Sequence, residues 1–281
     1  MSDIDVIIPT RDRASLVSRA IESVLEQTLR PNSVTVVDDG SVDDTSDVLQ
    51  RFGDAIRIVS TPGLGVSAAR NAGIRHTASS WVAFLDSDDL WEPDKLERQW
   101  TALKNESYRY RWSHTDEIWI RNGRRVNPMK KHQKPEGWVF EASLKLCCVS
   151  PSSVLVERTF LNELGGFDEE LPACEDYALW LKMAAREPVH FIEDKLTIKF
   201  GGHDDQLSRR FWGMDRFRAQ ALESLLSESG LSTELRVLAL ENLVFRYDVL
   251  LTGAKKRGGS EFTETWESSR HQAMKALEVL R

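Results

Sequence analysis

Short apolar runs alternate with segments of helical periodicity in the first part of the chain, and this alternation restricts the fold more than any other feature. The apolar runs, typical of buried strands, lie at residues 6–8, 34–37, 56–59 and 81–85. Apolar residues recur at helical spacing between them, at residues 14–29, 44–52 and 66–76. The sequence therefore predicts an α/β fold with a mostly parallel sheet flanked by helices and joined by right-handed crossovers.

Polar clusters follow three of these predicted strands. They are Thr10-Arg11-Asp12, Asp38-Asp39-Gly40 and Asp86-Ser87-Asp88-Asp89. Ligands of parallel α/β sheets bind beyond the carboxyl ends of the strands, so the three clusters are expected to share one edge of the sheet. No glycine-rich dinucleotide or ATP phosphate-binding pattern follows the first strand, which argues against both of those nucleotide sites.

The segment Asp86-Ser87-Asp88-Asp89 carries the strongest chemical signal. Its three acids repel one another unless a divalent cation, a basic side chain or water screens them, which favours a hard-metal site. The other interpretation is an acidic turn that caps the helix expected near Pro93, because Asp is a preferred N-cap residue. On these residues alone, both interpretations stay open.

An antiparallel element is expected beyond residue 105. The pair Asn122-Gly123 between two strand-like runs predicts a hairpin, and residues 152–156 predict a further strand. Helices are predicted at 157–164 and 175–186, and edge strands at 189–192 and 196–200. From residue 206 the pattern is helical, with breaks at Gly230 and around Gly258.

The composition is that of an ordinary globular protein, with 41% hydrophobic residues, 29% charged residues and a formal net charge of -7. This acidic balance argues against nucleic-acid binding. The chain shows no basic and apolar leader and no run approaching the roughly 18 apolar residues of a membrane span, so we expect a cytoplasmic protein. Cys147, Cys148 and Cys174 lack metal-ligand spacing and are interpreted as reduced thiols.

Five motifs together resemble those of family 2 glycosyltransferases with the GT-A fold. They are VIIPTRDR (6–13), VVDDGSVDDT (36–45), GLGVSAARNAG (63–73), FLDSDDLW (84–91) and CEDYALWL (174–181). The resemblance covers about residues 4–205 and is specific because five motifs occur in the right order. It implies a Rossmann-like GT-A domain with a nucleotide-sugar-binding half at 1–104, an acceptor-binding half at 105–205 and a helical C-terminal extension at 206–281.

The resemblance implies an inverting sugar transfer that depends on Mn²⁺ or Mg²⁺. Asp88 corresponds to the direct metal ligand, and Asp86 is expected near the ribose or the metal. Asp89 either ligates the metal or caps the next helix. His203 follows a glycine pair, and three roles stay open for it: a further metal ligand, a lid residue that contacts phosphate, or a solvent-exposed side chain.

The resemblance also assigns residues to the nucleotide. Asp39 corresponds to the acid that accepts a hydrogen bond from the uracil imide, whereas Asp38 is expected to be structural. Arg70 is expected to contact a phosphate or to pair with a carboxylate, the alternative being a helix-surface arginine. Family members often have Tyr-Asn after the first strand, whereas this chain has Arg11-Asp12. Aromatic stacking on the base is therefore not expected here. The residues expected to surround the nucleoside are Pro9, Thr10, Arg11 and Asp12.

The acceptor side of the site is predicted at the start of the 175–186 helix. Glu175 and Asp176 cannot both face one ligand, and the resemblance selects Asp176 as the catalytic base. Glu175 is expected to contact a sugar, and Trp180 is expected to form a wall of the acceptor site. The alternative is a pair of acids that the helix dipole favours at its N-terminus.

The expected partners are a nucleotide sugar, with a UDP-sugar favoured, and a glycan or lipid-linked acceptor. The apolar residues at 235–251 suit packing against the body, a homodimer or a membrane surface. A sugar-phosphate nucleotidyltransferase is an alternative, but it requires a glycine-rich basic signature that residues 10–12 do not supply. A non-catalytic nucleotide-sugar-binding scaffold is another alternative, against which Asp86, Asp88 and Asp176 argue.

Overall fold

Strands and helices alternate in the first half of the molecule, as predicted. The structure, a computed structural model, describes residues 2–127, 129, 132–202, 211–259 and 261–281. The strands are β1 (Ile4–Thr10), β2 (Ser33–Asp38), β3 (Arg57–Ser60) and β4 (Trp81–Phe84). The helices are α1 (Val17–Leu25), α2 (Thr45–Gln50) and α3 (Val66–Arg75). β1 lies between β2 and β4, β3 follows β2, and all three pairings are parallel, which confirms the predicted sheet.

β1 is covered by helices on both faces, and all of its residues are buried. Ile7 belongs to the core cluster that includes Ala69 of α3, whereas Ile8 belongs to the opposite cluster with Ile21 of α1. Burial on both faces explains why the strand is a continuous apolar run rather than an alternating one.

Antiparallel and parallel pairings together extend this sheet in the second half. The strands are β5 (Leu90–Trp91), β6 (Trp112–Arg121), β7 (Arg124–Val126), β8 (Leu155–Glu157) and β9 (His190–Gly201). The helices are α4 (Lys95–Asn105), α5 (Phe140–Lys145), α6 (Arg158–Glu163) and α7 (Glu175–Ala184). The sheet order is β3-β2-β1-β4-β8-β6-β9-β5, and β7 pairs with β6. Asn122 and Gly123 form the predicted hairpin turn with positive φ angles of 49° and 71°.

The prediction of two edge strands at 189–192 and 196–200 is wrong. The structure has one strand, β9, which lies inside the sheet between β6 and β5. Thr115 pairs with Ile192 and Asp116 with Lys195, so the pairing skips the two acidic residues between them. The polar interruption that suggested the end of a strand is a bulge, after which the strand continues.

The described residues of the C-terminal extension form three helices, with breaks where the sequence predicts them. They are α8 (Asp215–Ser227), α9 (Thr233–Lys256) and α10 (Thr263–Leu280). Phe217 of α8 and Leu243 of α9 belong to the same core cluster as Leu181 of α7, so the extension packs against the body. The homodimer stays a prediction, as do the domain boundaries after residues 104 and 205. Every helix in the described part of the chain is too short or too polar to cross a membrane.

Candidate active site

Arg70 joins the end of β4 to the start of α7. Its side chain is 4% exposed, and Nη1 donates to Glu175 Oε1 at 2.7 Å while Nη2 donates to Asp86 Oδ1 at 2.8 Å. These bonds bring together three residues that the sequence assigned to the site. Of the roles considered for Arg70, the structure shows the pairing with carboxylates.

Gly73 allows α3 to lie close to β1, which keeps the side chain of Arg70 buried. Gly73 faces β1 so closely that a Cβ atom there would lie 2.4 Å from Ile7 Cγ2. Asn71 accepts from the backbone N–H of Phe167 at 2.9 Å and donates to its carbonyl oxygen at 2.8 Å. The Phe167 ring thereby lies under the guanidinium of Arg70, with 5.0 Å between the ring centroid and Cζ.

The two acids that bind Arg70 have opposite pKa shifts. Burial raises the pKa of Asp86, but the charges of Arg70 and Lys199 outweigh burial, and the pKa lies below its ordinary value. Burial and the neighbouring Asp176 raise the pKa of Glu175, and Arg70 offsets this only in part. Asp86 is therefore an anion at neutral pH, which suits a residue that faces cations.

Asp88 is held less tightly than Asp86. Its Oδ2 atom lies 3.9 Å from Arg13 Nη2, and its side chain is 19% exposed. Burial and the charge of Asp86 raise the pKa of Asp88, while Arg13 and Lys199 lower it in part. A carboxylate with a distant partner next to a second carboxylate is suited to a hard divalent cation.

Asp89 has a structural role that neither of its sequence interpretations anticipated. Its carboxylate is 1% exposed and accepts from Ser152 Oγ at 2.6 Å and from the Phe200 backbone N–H at 3.1 Å. Lys199 Nζ lies 3.2 Å from Asp89 Oδ2. Helix α4 takes Asp94 as its N-cap residue, so the capping interpretation of Asp89 is wrong. Asp89 instead links β9 to the loop that carries Asp86 and Asp88, through its contacts with Lys199 and Phe200.

Two residues of this region were not identified from the sequence. Lys199 lies on β9, and its positive charge lowers the pKa of Asp86. The sequence signal that could have indicated it is a basic residue within an apolar strand pattern. Ser152 accepts from the Asp86 backbone N–H at 3.1 Å and donates to Asp89. It belongs to a one-turn 3-10 helix, Pro151–Ser153, where a strand was predicted, so no pattern pointed to it.

Asp39 organises a loop next to the expected nucleoside position. Its carboxylate accepts from Thr61 Oγ1 at 2.6 Å and from the backbone N–H groups of Leu64 at 2.9 Å and Gly65 at 2.7 Å. Its own N–H donates to the Thr10 carbonyl oxygen at 2.9 Å, which joins the ends of β1 and β2. Contact with a base stays a prediction for this residue.

The other residues predicted around the nucleoside lie at the same strand ends. Asp12 has a positive φ of 51° and accepts from the Val42 backbone N–H at 2.8 Å. Pro9 pairs with Val37 within the sheet. Within the described residues, Thr10 Oγ1 is buried without a hydrogen-bond partner, which leaves a polar atom available to a ligand. Arg11 lies beside this group and forms a 3.8 Å ion pair with Asp12.

Asp176 lies in the first turn of α7 and is half-buried. Cys147 Sγ donates to Asp176 Oδ2 at 3.4 Å. Burial and the adjacent Asp176 raise the pKa of Cys147 well above its ordinary value, so the thiol keeps its proton. Glu175 faces Arg70 whereas Asp176 faces Cys147, so the two adjacent acids serve different sides of the site.

One predicted residue does not join this group, and another cannot be compared with it. Trp180 is 1% exposed and lies in the core, with ring centroids 6.1 Å from both Trp112 and Phe167, so its ring offers no open face to a sugar. His203 lies outside the described residues. Those that are described contain no cluster of three His, Cys, Asp or Glu side chains placed to hold a metal. Asp86 and Asp88 alone fit Mg²⁺ or Mn²⁺ when phosphate and water complete the ligand set.

Similarity to known proteins identifies the family of this chain. Residues 5–155 match the family model described as glycosyl transferase family 2, which is more than half of the chain. The chain therefore belongs to glycosyl transferase family 2, as the motif resemblance indicates, and the nucleotidyltransferase alternative receives no support.

Curated relatives carry the same assignment. An uncharacterized glycosyltransferase of Rickettsia felis is 29% identical over 220 residues, covering 74% of this chain and 35% of the relative. The chain thus spans about a third of the length of that relative. A second relative, from Escherichia coli, is UDP-Glc:alpha-D-GlcNAc-diphosphoundecaprenol beta-1,3-glucosyltransferase WfgD. It is 29% identical over 182 residues, covering 64% of this chain and 69% of the enzyme.

Solved structures share the fold at low sequence identity. Residues 1–349 of Staphylococcus aureus TarS, solved in complex with UDP-GlcNAc, give a TM-score of 0.70 at 17% identity, covering 87% of this chain and 72% of that one. The mannosyltransferase PcManGT from Pyrobaculum calidifontis, solved with GDP-Man and Mn²⁺, gives a TM-score of 0.61 at 18% identity, covering 97% of this chain and 85% of that one. These similarities confirm the GT-A fold predicted from the sequence.

Proposed function

We propose that this protein is a metal-dependent, inverting glycosyltransferase that moves a sugar from a nucleotide sugar to a hydroxyl group of a glycan or lipid-linked acceptor. The observation that carries the proposal is the bridge from Asp86 through Arg70 to Glu175. This bridge joins the acids expected at the donor to the helix that carries the candidate base. Both parts of a sugar-transfer site are thereby held next to each other.

A UDP-sugar is the favoured donor. WfgD is named for UDP-glucose and TarS was solved with UDP-GlcNAc, which support this choice. In the proposal, the nucleoside lies against the ends of β1 and β2, where Thr10 has an unpaired hydroxyl oxygen within the described residues. Asp39 holds the 61–65 loop in the shape that would receive the base.

The metal is proposed to bind at Asp88, with Asp86 beside it and His203 as a further candidate ligand. The Mn²⁺ ion bound to PcManGT supports a divalent ion in this fold. When bound, such an ion neutralises charge on the departing nucleoside diphosphate. Arg70 and Lys199 then limit the negative charge that Asp86 and Asp89 bring to this region.

Asp176 is the proposed general base. Its carboxylate removes the proton of the acceptor hydroxyl while the acceptor oxygen forms a bond to the anomeric carbon. The bond between that carbon and the diphosphate oxygen breaks, and the nucleoside diphosphate leaves with the electron pair. Attack opposite the leaving group inverts the anomeric configuration. The carboxylate lies in the first turn of α7, beside the positive end of the helix dipole.

Asp176→Asn tests this function. The variant keeps the shape of the side chain but removes the base, so kcat is expected to fall roughly 10²–10⁴-fold with the affinity for UDP unchanged. Transfer is measured as acceptor-dependent release of UDP from a panel of UDP-sugars, and affinity by calorimetry.

Asp47→Asn is the matched control, because Asp47 is an exposed acid in the first turn of α2. It is expected to transfer at the wild-type rate. Wild-type transfer by Asp176→Asn would remove Asp176 from the role of base. Tight UDP binding without turnover by the wild-type protein would favour the non-catalytic scaffold instead.

A further inference from the structure

A buried arginine connects the C-terminal extension to the neighbourhood of the candidate base. Arg246 of α9 is 4% exposed, and its Nη2 donates to the carbonyl oxygens of Leu144 at 2.6 Å and Lys145 at 3.0 Å. Its Nη1 donates to Asp215 Oδ1 of α8 at 3.0 Å. The two carbonyls belong to the end of α5, where helix geometry leaves carbonyl oxygens without intrahelical partners. Arg246 therefore caps α5 from another part of the chain.

The helix that carries Asp176 holds the same carbonyl. Tyr177 Oη donates to the Leu144 carbonyl oxygen at 3.0 Å, and Tyr177 is 1% exposed. Leu144 thus receives one hydrogen bond from the extension and one from α7. Tyr177 directly follows Asp176, so this hydrogen bond links the Leu144 carbonyl to the first turn of α7.

The residues that follow α5 reach the candidate base itself. We call residues 144–149 the α5 exit segment. Within it, Cys147 Sγ lies 3.4 Å from Asp176 Oδ2 and 3.4 Å from the Val149 carbonyl oxygen. The next residue is also held, because Lys134 Nζ donates to the Cys148 carbonyl oxygen at 2.9 Å. The α5 exit segment is thus fixed by Arg246 at its start and by Lys134 near its end.

We propose that Arg246 is a positioning residue that holds the α5 exit segment against α7, so that Cys147 orients the carboxylate of Asp176. The inference rests on the proposed function of Asp176 and assigns the C-terminal helices a task in that site. Removing the guanidinium leaves the Lys145 carbonyl oxygen without its donor, while the Leu144 carbonyl keeps only its bond from Tyr177 and Asp215 keeps only its bond from Arg218. This weaker attachment favours movement of the α5 exit segment away from α7. The hydrogen bonds of Arg246 in the described part of the chain go to Leu144, Lys145 and Asp215, so Asp39, Asp86 and Asp88 are expected to keep their geometry.

The test compares Arg246→Met and Arg246→Lys with Tyr247→Phe. Tyr247 is also 4% exposed on α9, and its hydroxyl donates to Glu223 Oε1 at 2.5 Å inside the extension. Its variant loses a part-buried hydrogen bond within the extension and removes none of the bonds that hold the α5 exit segment. Lysine keeps the positive charge of Arg246 but lacks the planar fork that reaches both carbonyls and Asp215, so it separates geometry from charge.

The first readout is alkylation of Cys147 in the folded protein, followed by peptide mass mapping. Loss of the Arg246 bonds is expected to speed this reaction roughly tenfold or more, because these charge-assisted hydrogen bonds hold the segment against α7. The rate of Cys147 alkylation in Arg246→Lys is expected to lie between the rates in Arg246→Met and the wild type. Tyr247→Phe is expected to react at the wild-type rate.

The second readout separates kcat from UDP affinity. Arg246→Met is expected to lower kcat with UDP affinity unchanged, whereas Tyr247→Phe changes neither. Wild-type alkylation of Cys147 in Arg246→Met would overturn the positioning role, as would equal acceleration in Tyr247→Phe, which would indicate general loosening. Alkylation does not depend on sugar transfer, so this failure is distinct from a failure of the proposed function, in which the wild-type protein lacks turnover.

Discussion

At the residue scale, the candidate site is an arrangement of buried charges that largely balance one another. Arg70 pairs with Asp86 and Glu175, and Lys199 pairs with Asp89. Buried ions are tolerated when each has a close partner, and removal of one partner leaves the other uncompensated. Asp88 departs from this pattern because its ion pair with Arg13 is long, at 3.9 Å. Its incomplete compensation marks Asp88 as the acid best suited to bind an added cation.

Arg70→Met is expected to destabilise the protein by about 3–5 kcal/mol, because it leaves Asp86 and Glu175 buried without their shared cation. The measurement is the free energy of unfolding from urea denaturation at neutral pH. Arg98→Met is the matched control, since Arg98 also joins two acids, Asp94 and Asp194, but does so at the exposed surface. If Arg70→Met lowered the free energy of unfolding no more than the control does, Arg70 would not be the shared cation that stabilises Asp86 and Glu175.

At the element scale, close packing of helices against strands sets the position of the acids. Helix α3 approaches β1 through Gly73, which places Arg70, almost one turn earlier, above the end of β4. β9 lies beside both β6 and β5, and this position brings Lys199 to Asp89. The contacts that shape the site therefore depend on packing and pairing between elements far apart in the sequence.

Gly73→Ala is expected to destabilise the protein by about 1–3 kcal/mol, because the new Cβ overlaps Ile7 and forces α3 away from β1. The loss from overlap is expected to exceed the gain of about 1 kcal/mol that alanine brings, relative to glycine, in a helix interior. Gly253→Ala in α9 is the control, since its Cβ would meet only the flexible side chain of Arg257. Thermal unfolding of both variants is the measurement, and equal stabilisation by the two would contradict the close packing of α3.

The strand ends could be predicted from the sequence, whereas the partners of the acids could not. Asp86 and Asp88 directly follow an apolar strand, so local pattern and sheet geometry suffice to locate them. Ser152 and Lys199 contact Asp89 only because a 3-10 turn and a bulged strand bring them there, and both features interrupt the regular periods that sequence patterns reveal. Burial of Trp180 was likewise missed, since a helix that is apolar on most sides gives little indication of which face meets a ligand.

At the scale of the whole molecule, a GT-A body carries its helical extension as part of one hydrophobic core. Residues of α8, α9 and α10 belong to the same buried cluster as α7. The extension therefore packs near the proposed acceptor side, and Arg246 is the contact through which we infer that it influences that side. The proposed donor side lies at the ends of β1, β2 and β4, within the region that matches the family model.

The central claim, a nucleotide-sugar site that depends on a metal at Asp88, is tested most directly by calorimetric titration. Wild-type protein is titrated with UDP, GDP and dTDP in the presence of Mn²⁺ and again after chelation. Asp88→Ala is the test variant, and Asp47→Ala, which changes an exposed acid on α2, is the control. We expect UDP to bind with Mn²⁺, chelation or Asp88→Ala to abolish most of this binding, and Asp47→Ala to preserve it. Absence of binding by all three nucleotides, or UDP binding that neither chelation nor Asp88→Ala weakens, would contradict the account.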